Sequence, residues 1–418
     1  MKKRIRYAVL LVAVLALCLG VLTSCRNTTA NFFEYSEDDL GLVGKLVLLM
    51  HGWIGNYGWT VVVFTVFLSV LTLPLEFWQR YSSRKSSLKM QKIQPLVEAI
   101  DKRYGANTQR ANEEKQKLYK KQGYSMASMC LPMIINMVVF FVMFGGLRNY
   151  SMYSSIRSFQ DLSGVYHETY VEQIRDDAAL SDICISYESD LASTDAKTKL
   201  IAQTNVIRDA KQRNAAACAD FEKNALVAVQ DWYKEHHESW LWIQNVWQPD
   251  TWATVMQPYT GGSFGGGGFK TAINIEADYL GDAEATYNLI RNSVLEVGGY
   301  GKNGSWNGLM ILPVLSIGLS FLSMFISQRL ERKNRNGEAV QQNQQQAATS
   351  KTMMIIMPLM MAWFGFIYTG AFAIYMVGRY MISTLTTVAL RVPVEKAVLK
   401  RLDKDDEKNK SSKASYMR

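Results

Sequence analysis

Apolar runs alternate with long charged stretches along this chain of 418 residues. Five runs are long enough for membrane-spanning helices, since a hydrocarbon core of roughly 30 Å needs about 20 mostly apolar residues. They lie near residues 58–77, 128–147, 308–327, 352–367 and 370–389. The pattern predicts an all-α, polytopic membrane protein.

The first run carries a polar stripe. In "FTVFLSVLTLPLE", Thr65, Ser69, Thr72 and Glu76 recur at i, i+4, i+7 and i+11, which places them on one face of a helix. Polar groups are costly in a lipid core, so a stripe of them predicts either a packed helix contact or a water-accessible surface.

Two further runs show the same periodicity. The third run repeats serine at Ser316, Ser320, Ser323 and Ser327, and the fifth places Tyr375, Arg379, Ser383 and Thr387 on one face. Small polar residues also form ordinary helix contacts in membranes. Three stripes in one bundle favour a shared polar groove.

The N-terminus has the pattern of a signal sequence. A basic "MKKRIR" precedes the apolar "YAVLLVAVLALCLGVL", which ends in "LTSC", a pattern typical of bacterial lipoprotein cleavage sites. We expect cleavage after residue 24 and lipidation of Cys25. The alternative is an uncleaved anchor with an incidental cysteine.

Charge sets the expected orientation. Residues 78–127 hold 12 Lys and Arg against 4 Asp and Glu, residues 328–351 hold 5 against 2, and residues 391–418 hold 9 against 5. Residues 149–307 reverse the balance, with 12 basic and 21 acidic residues. The basic segments are therefore predicted to be cytoplasmic and the acidic one extracytoplasmic.

Two helical segments are predicted within 78–127. "SSLKMQKIQPLVEAIDKRYG" and "TQRANEEKQKLYKKQG" have apolar residues at helical spacing and end in Gly105 and Gly123, which suit helix C-caps. They predict a basic helical hairpin, with a plain solvated linker as the alternative. The segment "LGLVGKLVLLMHGWIGN" before the first span predicts an interfacial helix, with a sixth span as its alternative.

An ordered set of segments resembles the YidC/Oxa/Alb family of membrane protein insertases. They are "GNYGWTVVVFTVFLSVLTLPLEFWQRYSSRKSSLKMQKIQP", "YKKQG", "CLPMIINMVVFFVMFGGL", "SWLWIQNVWQPD", "LMILPVLSIGLSFLSMFISQRL" and "SKTMMIIMPLMMAWFGFIYTGAFAIYMVGRYMIS". The lipoprotein-type signal and five spans are typical of Gram-positive members. Residues 150–238 show no counterpart that the resemblance covers.

The resemblance implies a polar groove within the inner leaflet, open to the cytoplasm and closed to the outside. The expected groove residues are Thr65, Ser69, Thr72, Asn136, Ser316, Ser320, Tyr375, Arg379 and Ser383. Relatives usually have an arginine five residues before the proline that is Pro74 here, and this chain has Ser69 there. Counting about 1.5 Å per residue puts Arg379 at a depth similar to that of Ser69. Arg379 either restores the positive charge, or it snorkels or pairs with another helix for structure alone.

The extracytoplasmic segment offers little chemistry. Cys184 and Cys218 could form a disulfide outside the cell, or remain two unpaired thiols. No phosphate loop, zinc motif or nucleophile elbow is present in the sequence, so we expect no enzyme, no metal and no cofactor.

The resemblance favours an insertase that acts on nascent membrane proteins, alone or with the Sec translocon, over a small-solute or peptide transporter or a structural scaffold. The ribosome and membrane lipids are further expected partners, since the basic tail could contact RNA phosphates or anionic lipid. A monomer is expected, in the bacterial cell membrane.

The expected organisation follows the charge and apolar pattern. We assign the segments as follows: signal peptide 1–24, N-terminal segment with interfacial helix 25–57, first span 58–77, hairpin 78–127, second span 128–147, extracytoplasmic insertion 148–307, third span 308–327, cytoplasmic linker 328–351, fourth and fifth spans 352–389, and cytoplasmic tail 390–418.

Overall fold

A computed structural model describes residues 36–104, 108–121, 127–260, 268–272, 283–334 and 363–401. Most of the described residues are helical, and the described part contains only isolated β-bridges, so the predicted all-α class is confirmed for it. The helices are α1 Leu42–Ile54, α2 Tyr57–Tyr104, α3 Thr108–Lys121, α4 Ala127–Asp176, α5 Ser181–Ser186, α6 Glu188–Leu191, α7 Ala196–Arg213, α8 Ala215–His236, α9 Gly268–Ala272, α10 Ala283–Val297, α11 Ile311–Asn334, α12 Gly370–Ala389 and α13 Arg391–Arg401.

The first span and the first half of the predicted hairpin form one continuous helix. Helix α2 has 48 residues and contains Pro74 and Pro95. The helix therefore continues through residues 77 and 78, where the sequence predicts the end of the span, and the position of the span boundary stays a prediction. No glycine or capping residue interrupts the segment there, and a proline within a membrane helix is tolerated when neighbours satisfy the freed carbonyl.

Helices α2 and α3 contact each other on either side of residues 105–107, which lie outside the described part. An ion pair joins Lys115 of α3 to Asp101 of α2, and Ala111 is buried in the same contact region as Val97. The two helices predicted for this segment are thus present and packed together. Their cytoplasmic location stays a prediction.

Among the described residues, one helix is long and apolar enough to cross a membrane, Tyr57–Lys89. Helices α12 and α13 pass the same test as a pair bent by 49°, and Ile311–Ser327 of α11 is a shorter apolar helix. Residues 352–362 of the predicted fourth span lie outside the described part, so the five-span count stays a prediction.

The second predicted span continues without a break into the next segment. Helix α4 has 50 residues, and its C-terminal half packs against α7 and α8, while α10 packs on α8. Aromatic rings fill this core, where the Tyr287 ring lies 4.3 Å from that of Phe269 and 4.9 Å from that of Phe159. The hydrophobic core of the predicted extracytoplasmic segment is continuous with that of the other helices.

Both cysteines of this segment are free and buried. The structure therefore does not contain the disulfide considered between Cys184 and Cys218, and the alternative of two unpaired thiols describes it. Cys184 lies on the short helix α5, whereas Cys218 lies in the first turn of α8, where its carbonyl accepts a hydrogen bond from Tyr170 (2.7 Å).

Helix α1 is separate from α2, as the sequence predicts. It ends at Gly55, whose φ of 74° lies in the left-handed region that suits glycine as a helix C-cap. It packs against α2 and α4, and Val43 contacts Gly146 so closely that no side chain would fit there. Its interfacial position stays a prediction.

The charge bias and the fold together define a topology experiment. Glu113 on α3 and Ser189 on α6 are both exposed, so a cysteine at either position is accessible if reagent reaches that side. We expect Ser189→Cys to react with an impermeant thiol reagent in intact cells and Glu113→Cys only after the membrane is opened. Labelling of Glu113→Cys from outside would contradict the predicted orientation.

Candidate polar groove

The N-terminal half of the polar stripe on α2 is a packed helix contact. Thr65 and Ser69 are buried, and their hydroxyls donate to backbone carbonyls of their own helix, Thr65 to Val61 (2.7 Å) and Ser69 to Thr65 (2.8 Å). Gly378 of α12 faces Thr65, and a Cβ at Gly378 would lie only 3.1 Å from the Thr65 methyl carbon. Small residues therefore let α2 and α12 approach closely at this level.

The other half of the stripe is charged. The Glu76 Oε1 atom lies 2.5 Å from Nη1 of Arg379, and the Thr386 hydroxyl donates to Glu76 Oε2 (3.1 Å). The Glu76 side chain is 8% exposed and that of Arg379 is 23% exposed. A buried carboxylate of α2 is thus paired with a cation of α12.

A second cation lies next to this pair. Arg80 is one helical turn beyond Glu76, and its Nη2 atom lies 4.0 Å from Glu76 Oε2. The same nitrogen donates to the Ser383 carbonyl (3.3 Å) and to the Thr386 hydroxyl (3.4 Å). One carboxylate therefore faces two guanidinium groups. This charged cluster, Glu76, Arg80 and Arg379, has one positive charge in excess.

The Arg379 guanidinium does not lie at the depth of Ser69 that the rise per residue predicts. Arg379 meets Glu76, seven residues beyond Ser69, although Gly378 lies beside Thr65. The count places only the Cα atoms, whereas the long arginine side chain extends along the helix contact. Of the two alternatives for Arg379, the structure shows pairing with another helix, and the pair leaves a net positive charge through Arg80.

The remaining predicted groove residues are distributed over several contacts. Ser316 and Ser320 on α11 are buried and donate to the carbonyls of Pro313 and Ile317, at 2.7 and 2.8 Å. Tyr375 is buried on α12, and the side chain of Thr72 is partly buried and donates to the Ser69 carbonyl (3.3 Å).

Two predicted site residues cannot be placed in a contact. Asn136 belongs to α4, but its side chain lies outside the described part. Cys25 lies outside the described residues altogether, so its lipidation stays a prediction. Within the described residues no group of three or more His, Cys, Asp or Glu side chains could hold a metal ion.

The loop 238–250 forms hydrogen bonds with residues at the starts of several helices. Asp250 is fully buried, and its carboxylate accepts hydrogen bonds from the backbone N–H groups of Leu309 (3.0 Å) and Leu312 (2.8 Å) and from the Trp242 indole (3.2 Å). It thereby satisfies backbone donors around the start of α11, where helices leave N–H groups unpaired.

The same loop binds the first residues of α12 and α2. The N–H groups of Gly370 and Ala371 donate to the carbonyls of Gln248 and Val246, both at 2.8 Å. The Asn56 side chain, before α2, donates to the Ser239 carbonyl (3.1 Å). Residues 238–250, called the outer cap below, thus close one end of the bundle.

None of the predicted site residues lies in the outer cap. "SWLWIQNVWQPD" was identified only through the family resemblance. No local sequence pattern marks Asp250 as a capping residue, because the N–H groups of Leu309 and Leu312 that it binds lie about 60 residues further along the chain. Glu76 and Arg80 do have a local signal, the i, i+4 spacing of opposite charges on one helix.

A family model agrees with this architecture. Residues 49–192 and 224–397, most of the chain, match the model described as "60Kd inner membrane protein". The chain belongs to this family. The predicted resemblance to the YidC/Oxa/Alb insertases is confirmed at this level, and the protein is a bacterial inner membrane protein. The expectation that residues 150–238 lack a family counterpart is wrong for all but 193–223, a range that holds all of α7 and the start of α8.

Curated relatives share part of this family region. A protein of Caldanaerobacter subterraneus subsp. tengcongensis named "Membrane protein insertase YidC" is 37% identical over 113 residues, which are 27% of this chain and 53% of that protein. Proteins of the same name from Oleidesulfovibrio alaskensis and Campylobacter jejuni are 36% and 34% identical over 99 and 100 residues, each 24% of this chain and 18% of the relative. The matched segment therefore spans about half the length of the first relative and about a fifth of the others.

The family member described here should depend on Glu76 more than on Arg379. Glu76→Gln leaves two partly buried guanidinium groups without their shared carboxylate, whereas Arg379→Gln leaves Glu76 near Arg80. Removing one partner of a buried pair costs about 3–5 kcal/mol. We expect Glu76→Gln to lose stability of that order, and Arg379→Gln to lose less, in unfolding measurements on the purified protein.

The exposed pair of Lys117 with Glu114 provides the control. Lys117→Gln should leave the unfolding free energy nearly unchanged, because an exposed surface pair contributes little to stability. If Glu76→Gln were as harmless as Lys117→Gln, the charged cluster would not stabilise the contact of α2 with α12.

Glu238 of the outer cap gives a pH dependence. Burial raises the pKa of its carboxyl from 4.5 to about 7, although the Trp247 indole and the Ser154 hydroxyl donate to it. Between pH 4.5 and 7 the folded protein therefore holds a proton that the unfolded chain releases. The contribution of Glu238 to stability thus falls as pH rises through this range, by on the order of 3 kcal/mol at most.

We expect Glu238→Gln to abolish this fall. The unfolding free energy of the variant minus that of the native protein should increase from pH 4.5 to 7, and other titrating groups such as His167 cancel in the difference. A difference that stays constant across this range would show that Glu238 is ionised in the folded protein.

Proposed function

We propose that this protein is a membrane protein insertase, which inserts nascent integral membrane proteins and helps them fold. The observation that carries the proposal is the charged cluster of Glu76, Arg80 and Arg379 between two apolar helices of a member of this family. The curated relatives of Caldanaerobacter and Oleidesulfovibrio, which carry the insertase name, support it.

The mechanism follows from the cost of moving polar groups into lipid. A polar segment of a client that enters beside the cluster exchanges water for fixed charges and hydroxyls, so its desolvation cost is reduced. Acidic segments gain more, because the cluster has one positive charge in excess. The free energy for insertion comes from burying the apolar segment of the client in lipid.

Arg80 is the cation available to such a client. Its Nη2 atom is 4.0 Å from Glu76, against 2.5 Å for Arg379, and 27% of its side chain is exposed. An incoming carboxylate can approach Arg80 without displacing the shorter ion pair. The excess charge therefore acts mainly through Arg80, with Arg379 neutralising Glu76.

The finer features of the family type belong to the same proposal. We propose five spans, a lipidated Cys25 of the kind found in Gram-positive members, an outer segment 148–307 that is extracytoplasmic, and a cytoplasmic C-terminus. The basic hairpin receives the client from the ribosome or the Sec translocon, and the protein acts as a monomer without an enzymatic step. The transporter alternative finds no support in the named relatives, which are insertases.

The charge proposal predicts the effect of each variant from the net charge of the cluster. Arg80→Gln and Arg379→Gln each make the cluster neutral, so both should slow insertion of clients with acidic translocated segments. The lost attraction is about 1–4 kcal/mol for a unit pair about 4 Å apart, hence roughly fivefold or more. Clients with neutral segments should be affected much less. Insertion into membrane vesicles that contain each variant measures both.

The discriminating variant is Arg379→Gln combined with Glu76→Gln. It removes one charge of each sign and leaves Arg80 as a single positive charge, so insertion of acidic clients should return. A double variant that stays as impaired as Arg379→Gln alone would show that the pair acts through structure. Equal loss for acidic and neutral clients would contradict an electrostatic role.

A further inference from the structure

Helix α2 has an exposed apolar stripe on a different face from the polar stripe. Trp59, Val63, Val66 and Val70 follow one another at i, i+4, i+7 and i+11 and are 51%, 44%, 49% and 62% exposed. In a member of an inner membrane protein family, an exposed apolar stripe on a spanning helix is its lipid-facing side. Trp59 lies at the end of the stripe that is covered by the outer cap.

A tight turn of the outer cap continues this surface. Trp240 and Ile243 exchange two backbone hydrogen bonds, each 2.9 Å long, and both side chains are buried. The Trp240 ring contacts Gly58 and packs edge-on against the ring of Trp59, with centroids 5.7 Å apart. The turn is therefore held rigidly against the first residues of α2.

Leu241 at the tip of this turn is strained and exposed. Its φ is 52°, in the left-handed region, and 63% of its side chain is exposed. A non-glycine residue is disfavoured in this region, and glycine or asparagine adopts it more readily. In water, a strained and exposed leucine brings no compensating stabilisation. In the acyl-chain region of a bilayer, next to the lipid headgroups, the same side chain would be buried.

Further aromatic side chains are exposed at this end of the bundle. Trp53, near the end of α1, is 86% exposed and lies only a few residues before α2. Trp252, which follows the outer cap, is 62% exposed, and its ring packs 5.8 Å from that of Trp306, before α11. Tryptophan is enriched where membrane meets water, since its ring is apolar and its indole N–H polar.

We propose that the turn 240–243, with Leu241 at its tip, is an anchor that inserts into the lipid of the outer leaflet. The partner is the bilayer itself, because the turn continues the lipid-facing stripe of α2 and carries no charged side chain. The anchor fixes the outer cap over the ends of α2 and α12. It rests on membership of the membrane protein family and is independent of insertase activity.

Bromine quenching of tryptophan tests the anchor in the full-length protein. Leu241→Trp and Ile185→Trp each add one tryptophan at an exposed apolar position. Ile185 lies on α5, beyond the far end of α4, roughly 40 Å from residue 147 at 1.5 Å per residue. In vesicles of lipids brominated near the headgroup end of the acyl chains, the fluorescence added by Leu241→Trp should be quenched and that added by Ile185→Trp should not.

A second variant separates anchoring from folding. Asparagine tolerates the left-handed region, so Leu241→Asn should keep or raise the melting temperature in detergent while reducing bromine quenching of the native tryptophans in vesicles. If Leu241→Trp is instead quenched by aqueous iodide and not by brominated lipid, the tip faces water and the proposal is overturned. Equal lipid quenching of Leu241→Trp and Ile185→Trp would overturn it too.

Discussion

The ion pair between Glu76 and Arg379 constrains how α2 and α12 pack. The Glu76 Oε1 and Arg379 Nη1 atoms are 2.5 Å apart, so a shift of one helical turn, about 5.4 Å, would separate Arg379 from its carboxylate partner. Separating such a pair in a low-dielectric environment is far more costly than separating it in water. Gly378 against Thr65 enforces the same register sterically. Charge and close packing therefore select one arrangement of the two helices.

The two ends of this helix pair have different chemistry. At one end the outer cap supplies carbonyls to the first N–H groups of α12 and the Asp250 carboxylate to those around the start of α11, so polar backbone groups are satisfied by protein. Toward the other end, Arg80 keeps 27% of its side chain exposed. Arg80 at the charged end is therefore accessible to water and, under the proposed function, to a client segment, whereas the capped end is closed by hydrogen bonds.

Local patterns in the sequence predict the helices better than they predict contacts. Gly55 ends α1, and two helices pack on either side of residues 105–107, as their apolar spacing predicts. The stripe of Thr65 and Ser69 was placed correctly on one face, but periodicity does not reveal that their hydroxyls bond to their own helix. The partner of Glu76 lies some 300 residues away, and the hydrogen-bond partners of Asp250 about 60. Only the tertiary fold brings these groups together.

The Glu76 carboxylate allows two arginines to lie close together elsewhere in the bundle, although this chain has Ser69 where relatives usually have an arginine. Ser69 is 3% exposed within the closest part of the contact of α2 with α12, where an arginine would have to displace α12. Glu76 lies two turns further along, where Arg379 and Arg80 can both reach it, and it offsets the repulsion between them. One excess positive charge is thus retained without burying an unpaired cation. In the predicted orientation this charge lies nearer the cytoplasm than Ser69, so a client segment meets it earlier and crosses less of the bilayer to reach it.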